Sequence, residues 1–301
     1  PKMLEQGYPR PFVIVLAASA ALLEALIPPS NAAILFSALT NVPVSQTFAA
    51  GVIPGLILLA FMVIVVLIKC RNIRNPEPAS AVERWGSFLG ALPGLFTPII
   101  ILGGIYAGLL TPSESAAVAG VWAIIMGFFI YRELTFASLC LALKETATIT
   151  AIIFAIIATA TFLSVVLTYS QIPQQIVSYF TDMGATFALF WVALAIICLL
   201  LGTFVEIVPV FYLTVPIFAA ITLSFNQSLL HLYGVFVAFA GIGMIPPPVC
   251  VGIYTSASVI QENPAKAFRE VPLFVGVGIL YGILMILIPE ASTWLPSLLT
   301  R

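Results

Sequence analysis

The chain has 301 residues, of which 61% are hydrophobic and 8% charged, with a formal net charge of −1. Soluble globular proteins carry about 25% charged residues, so 11 basic and 12 acidic side chains are too few to coat a water-exposed surface of this size. Soluble folds, nucleic-acid binding and intrinsic disorder are excluded, and the chain reads as an all-α polytopic membrane protein.

At roughly 20 apolar residues per crossing, spans are predicted near 11–40 (interrupted), 47–68, 88–110, 114–131, 146–169, 184–225 (two arms), 229–260 (interrupted) and 270–288. The first is broken by Pro28-Pro29, which removes backbone donors. Ser30 and Asn31 follow the break, placed to cap the half-helix beginning there or to coordinate an ion or a substrate oxygen. Glu24 is an acid inside an apolar run, a placement that costs about 2.5–3.5 kcal/mol on insertion scales when charged at a helix centre. It is either protonated and structural or part of cation coupling. Thr111-Pro-Ser-Glu114 is a capping box with proline at the first helical position, the start of the span at 114–131. Gln171 to Phe180 reads as an interfacial arm or a plain amphipathic loop helix.

The arms 184–204 and 206–225 meet at Gly202-Thr-Phe-Val-Glu206, forming two full crossings or one re-entrant hairpin. Glycine there lets carbonyls converge, and the Thr203 hydroxyl adds a hard oxygen suited to sodium. Glu206 either binds a cation or faces water in a cavity. His231 opens the next span as an interfacial residue. Gly241 and Gly243 precede a second break, Pro246-Pro-Pro248, and permit open carbonyls or close helix packing.

Charge placement gives an orientation. With Pro1 on side one, the N-terminus and the linkers 69–87, 132–145 and 261–269 hold Lys2, Arg10, Lys69, Arg71, Arg74, Arg84, Arg132, Lys144, Lys266 and Arg269, leaving only Arg301 on side two. By the positive-inside rule the Pro1 end is cytoplasmic and the Arg301 end periplasmic. A lone aspartate (Asp182) and a lone histidine (His231) exclude an intramembrane aspartyl protease and an H-E-x-x-H zinc protease. The four cysteines are widely spaced, which suits small core residues rather than a metal cluster or disulfides.

A hidden repeat accompanies the breaks. Ile27-Pro-Pro-Ser-Asn-Ala-Ala-Ile-Leu-Phe-Ser37 aligns with Ile245-Pro-Pro-Pro-Val-Cys-Val-Gly-Ile-Tyr-Thr255, and by the span count the two segments run in opposite directions. Similar sequence in opposite orientation marks the inverted-topology repeats of secondary transporters, whose broken helices bind ions and anionic substrates. One repeat is complete near 88–288, and the other is represented by 11–68. Since the first residue is Pro1, the chain is expected to begin inside a longer protein.

Gly103-Gly-Ile-Tyr-Ala-Gly-Leu-Leu-Thr-Pro-Ser-Glu-Ser-Ala-Ala-Val-Ala119, followed by Tyr131-Arg-Glu-Leu-Thr135, resembles the large membrane subunit (M subunit, DctM-like permease) of TRAP, tripartite ATP-independent periplasmic, transporters. So do Lys2-Met with Gly7-Tyr8, Ile27-Pro-Pro-Ser30, Ala50-Gly-Val-Ile-Pro-Gly55, Thr168-Tyr-Ser-Gln-Ile-Pro-Gln-Gln175 and Val215-Pro-Ile217, in family order. The resemblance implies a non-enzymatic, sodium-driven importer of carboxylates or sialic-acid-like anions in the bacterial inner membrane. Its implied partners are a small TRAP membrane subunit and a periplasmic substrate-binding protein, with sodium the coupling ion and no other cofactor. The implied mechanism is an elevator. Residues 1–69 would be the end of the first repeat, 70–87 a cytoplasmic linker, 88–170 scaffold, 171–183 an interfacial connector, 184–289 the second hairpin, broken helix and last span, and 290–301 a periplasmic tail. Ser30, Gly202, Thr203, Gly241 and Gly243 are then the candidate sodium ligands, and Asn31, Glu206 and Pro247 the candidate substrate contacts. Departures cluster at the breaks. The family pattern N-x-E-I-G-x-x-T-P-P-V-G is Phe239-Ala-Gly-Ile-Gly-Met-Ile-Pro-Pro-Pro-Val-Cys250 here, the usual Gly-Pro of the first break is Glu24-Ala25, and Glu206 stands where Asp is common. A stand-alone sodium–anion symporter and an inactive relative are the alternative readings.

Overall fold

The computed structural model describes residues 2–73, 80–172, 174–175, 178–179, 187–248 and 250–299. Its regular elements are all helical. In chain order they are α1 (Lys2–Glu5), α2 (Arg10–Ala20), α3 (Leu22–Leu26), α4 (Asn31–Thr40), α5 (Val44–Lys69), α6 (Ala81–Tyr106), α7 (Pro112–Ile125) and α8 (Phe136–Tyr169). There follow α9 (Phe187–Phe204), α10 (Ile207–Ser224), α11 (Leu229–Gly243), α12 (Val251–Val259), a 3-10 turn (Pro264–Arg269), α13 (Val271–Leu287) and α14 (Glu290–Leu299). Six helices among the described residues are long and apolar enough to cross a bilayer, or up to eight if each of two bent pairs is one span. The predicted all-helical, polytopic class is the observed one.

The chain divides into two units, residues 1–75 with 160–301, and residues 76–159. In the second, α6 packs on α7, and the Trp122 indole donates to the Pro93 carbonyl at 3.1 Å. The predicted capping box is present. The Glu114 amide donates to Thr111 Oγ1 at 3.3 Å, and the Thr111 amide donates to Glu114 Oε2 at 2.7 Å. A second box at Ser80 and Glu83 starts α6 seven residues before the predicted span. The predicted linker 132–145 is helical from Phe136 onward. Thr135 and Ser138 cap that start, and Phe136 to Glu145 contains no glycine or proline to stop the helix.

In the first unit α11 is the axle. Every residue from His231 to Gly243 is buried, as expected of a helix that is hydrophobic all round. It touches α3, α4, α5, α9, α10, α13 and α14. His231, expected at the interface, instead lies in the core at 2% exposure, its Nε2 paired with the Met285 carbonyl at 2.9 Å and its ring against Trp191. The stretch predicted as a tail folds as α14, bent 54° from α13 and packed on α5, with residues 300–301 outside the described set.

Ion pairs gather one end of this unit. Glu262 accepts from Arg10 at 3.2 Å and Lys266 at 2.8 Å, and Glu270 pairs with Lys69 at 3.0 Å. With Arg269, 3.7 Å from Glu270, four of the basic residues assigned to side one share an end. Arg74 and Arg301 lie outside the described residues, as do parts of the proposed linker and of the connector 171–183.

Within lipid, helices associate through close packing of small residues rather than through a hydrophobic drive. Gly51 shows how tight this is, since a Cβ there would sit 2.0 Å from the Leu26 carbonyl oxygen. Gly51→Ala is expected to destabilise the first unit by about 3 kcal/mol or abolish its folding, checked by thermal melting in detergent. The Glu262 carboxyl is held down to about 2, first by the Lys266 ammonium, then by the Asn263 amide and Arg10. A depressed acid contributes stability that is complete above its unfolded value near 4.5 and lost as pH falls toward 2. Glu262→Gln should therefore lower the melting temperature at pH 7, and the gap from the unsubstituted chain should close on acidification through that window.

Candidate functional site

Proline chemistry determines the geometry of both breaks. In an α-helix each carbonyl accepts from the amide four residues on, and Pro28 and Pro29 have none to offer to Glu24 and Ala25. The Ala25 carbonyl is recaptured by two hydroxyls, Ser30 Oγ at 2.8 Å and Tyr233 Oη at 2.6 Å. Ser30 also accepts from the Ala33 amide at 3.3 Å, so it caps α4 while closing off the end of α3. Ser30 and Tyr233 are both buried, and Asn31 begins α4 on an exposed position. The halves on either side of this break are bent by 43°.

The second break is longer. The helix that follows it, α12, begins at Val251. Cys250 caps it at φ 28°, on the left-handed side that favours glycine, at the position where the family pattern has glycine. The end of α11 tightens into 3-10 bonds, Met244 to the Gly241 carbonyl and Ile245 to the Ile242 carbonyl, both at 3.1 Å. Pro247 and Pro248 leave the Gly243 and Met244 carbonyls without their usual donors. Both breaks contain a cis peptide, Pro28–Pro29 and Pro247–Pro248.

The two broken helices run antiparallel. Tyr233 reaches Ala25, Gly241 abuts Leu22, Gly252 abuts Ala18, and Glu262 pairs with Arg10. This is the opposite orientation predicted for the repeated segments. The hairpin enters from the side. Its base lies beside His231 and Trp191, where the Phe187 and Phe225 rings pack 5.4 Å apart. Its tip stops at the second break. A Cβ on Gly202 would lie 2.7 Å from the Ala240 carbonyl and 3.0 Å from Gly243 Cα. Beyond the tip, α12 continues for nine residues, about 14 Å, toward the ion-paired end. Each arm of the hairpin is 18 residues long and apolar enough to cross a bilayer.

The candidate residues thus fall into two groups. Gly202 and Gly243 touch at the hairpin–α11 crossing, and Thr203 is beside them with its hydroxyl donating to the Leu199 carbonyl at 2.8 Å. Glu206 precedes α10 on an exposed position at the tip. Ser30 and Asn31 belong to the other break, tied to Ala25 and Tyr233. Between the groups lies a cavity of about 140 Å³ lined by Leu22, Glu24, Ile207, Gly241, Met244 and neighbours. Of the candidate ligands only Gly241 is on its wall, where a Cβ would meet Leu22 at 2.7 Å. Glu24 and Gly241, two of the departures from the family pattern, line the same cavity.

Tyr233 is the contributor that sequence reading missed. Nothing local marks a tyrosine four residues into an apolar helix, and its role depends on a carbonyl 208 residues away. Ser30→Ala and Tyr233→Phe should each cost about 1 kcal/mol. Together they should cost more than the sum, because only the pair of changes leaves the buried Ala25 carbonyl without a donor. A double-mutant cycle of detergent melting measures the excess.

Comparison with known proteins agrees with this architecture. The family model described as the tripartite ATP-independent periplasmic transporter, DctM component, matches residues 1–291. The C4-dicarboxylate TRAP transporter large permease protein DctM of Pseudomonas aeruginosa is 33% identical over 98% of this chain and 70% of its own length. The ectoine/5-hydroxyectoine TRAP transporter large permease protein UehC of Ruegeria pomeroyi is 30% identical over 99% and 70%. The sialic acid TRAP transporter large permease protein SiaM of Vibrio cholerae is 28% identical over 98% and 70%. Two proline-broken helices crossing antiparallel beside a helical hairpin are thus set in a chain whose relatives are transport permeases and not enzymes, and the chain belongs to the DctM component family of tripartite ATP-independent periplasmic transporters.

Proposed function

We propose that the chain acts as the large permease of a sodium-coupled importer of organic acids, working with a small membrane subunit and receiving substrate from a periplasmic binding protein. The observation that carries this reading is the meeting of the hairpin tip with the second break. There the Gly243 and Met244 carbonyls lack their proline-blocked donors, the Gly202 and Gly243 backbones meet, and the Leu199 carbonyl that accepts from the Thr203 hydroxyl lies against Gly243. Closely set oxygens of this kind suit a hard monovalent cation, and discontinuous helices are where transporters of this type hold their ions. Gly202, Thr203 and Gly243 form one proposed cation locus, Ser30 belongs to a second at the first break, and Gly241, against Leu22 on the wall of the cavity between them, joins neither. Asn31, Glu206 and Pro247, at the first break, the hairpin tip and the second break, are the proposed substrate contacts.

The relatives' names point to small organic acids as a class: a C4-dicarboxylate, an ectoine and a sialic acid permease. Clustering of Arg10, Lys69, Lys266 and Arg269 at one end of the first unit supports placing that end in the cytoplasm, in the bacterial inner membrane. The division into two units suits an elevator in which one unit carries the site and the other anchors it.

The test is reconstitution of the complete complex in liposomes. Uptake of labelled substrate should require both an inward sodium gradient and the binding protein. Uptake that survives collapse of the gradient contradicts sodium coupling, and uptake without the binding protein contradicts the tripartite reading. Thr203→Val should lower sodium affinity by tenfold or more while leaving the fold intact, since the hydroxyl's only bond is to its own helix.

A further inference from the structure

The cavity between the broken helices has one acidic residue on its wall, Glu24, at an exposed position where the cavity opens. Around it are Leu22, Met244, Ile245 and Ile207, with alanines and the glycines 241 and 252 making room. No basic side chain lines the space, and Glu24 has no ion-pair partner among the described residues. A second acceptor is on the same residue, because Pro28 deprives the Glu24 carbonyl of its helical donor.

From this we infer that the cavity receives the positively charged end of a small organic zwitterion, with Glu24 as its anchor. The inference rests on the permease reading and narrows its substrate. A carboxylate at the mouth of an apolar recess repels an anionic group, and a dianion has no cation to meet here. An ammonium or amidinium gains a charge-assisted hydrogen bond with Glu24, and its methylenes are covered by the apolar wall. A bare metal cation is the poorer occupant, since hard ions need about six oxygens and this wall is mostly hydrocarbon. The volume, about 140 Å³, is close to the roughly 150 Å³ that admits one benzene, enough for the charged ring or the methylated head of such a molecule.

Isothermal titration of the purified full chain in potassium buffer tests this, with ectoine and glycine betaine as zwitterions, succinate as a dianion and sodium alone as an inorganic cation. A zwitterion is expected to bind, succinate to bind at least tenfold more weakly, and Glu24→Gln to weaken the zwitterion at least tenfold at an unchanged melting temperature. Ala21→Phe, which fills the cavity and keeps the carboxylate, should abolish that binding as well. The inference is overturned if neither zwitterion binds, if succinate binds more tightly, if Glu24→Gln leaves zwitterion affinity intact, or if Glu24 proves to bind sodium alone. Sodium-driven succinate uptake indifferent to Glu24→Gln overturns this inference but leaves the permease reading standing. Failure of the unsubstituted, complete complex to move any organic acid removes the permease reading itself.

Discussion

A carbonyl that has lost its amide partner inside a membrane protein must find another donor, because each unsatisfied group in a water-free interior costs several kcal/mol. At Ala25 that need is met by Ser30 from the following half-helix and by Tyr233 from a helix 208 residues away. The bond from Tyr233 fixes the height of the first broken helix against α11, and contacts further along follow from it. Gly241 then falls beside Leu22, Gly252 beside Ala18, and Glu262 beside Arg10.

The same prolines make the fold and the site. Breaking a helix frees carbonyls and redirects the chain, and burial in protein is the condition under which that irregular backbone is tolerated. At the second break the hairpin provides the cover, through a Gly202–Gly243 approach that larger residues would prevent. The antiparallel crossing leaves the two breaks offset along the axis rather than face to face. Oxygen-rich backbone is therefore found at two levels, with an apolar, singly charged cavity between them.

Much of this was legible because it is written locally. Pro28-Pro29 and Pro246-Pro-Pro248 announce the breaks, Thr111-Pro-Ser-Glu114 announces a helix start, and the basic residues announce a shared end. What escaped is long-range or depends on the absence of a stop signal. The start of α8 at Phe136 was hidden by its charged neighbours Lys144 and Glu145, although nothing in the intervening residues ends a helix. His231 was taken for an interfacial group on its polarity, yet its partner is the Met285 carbonyl, which no local pattern reveals. The offset of the two breaks along the axis is likewise set by packing, through Tyr233 on Ala25 and Gly241 on Leu22.

The central claim is the antiparallel crossing of the two broken helices, and cysteine cross-linking in membranes tests it most directly. A Cβ on Gly252 would lie 3.2 Å from the Ala18 Cβ, close to the separation of about 3.5–4.5 Å that a disulfide requires. In a background lacking the native cysteines, Ala18→Cys with Gly252→Cys should form an intramolecular disulfide rapidly under mild oxidation, whereas Thr40→Cys with Gly252→Cys should not. Efficient cross-linking of the Thr40 pair, with none for the Ala18 pair, would mean that the helices run parallel and would contradict the account.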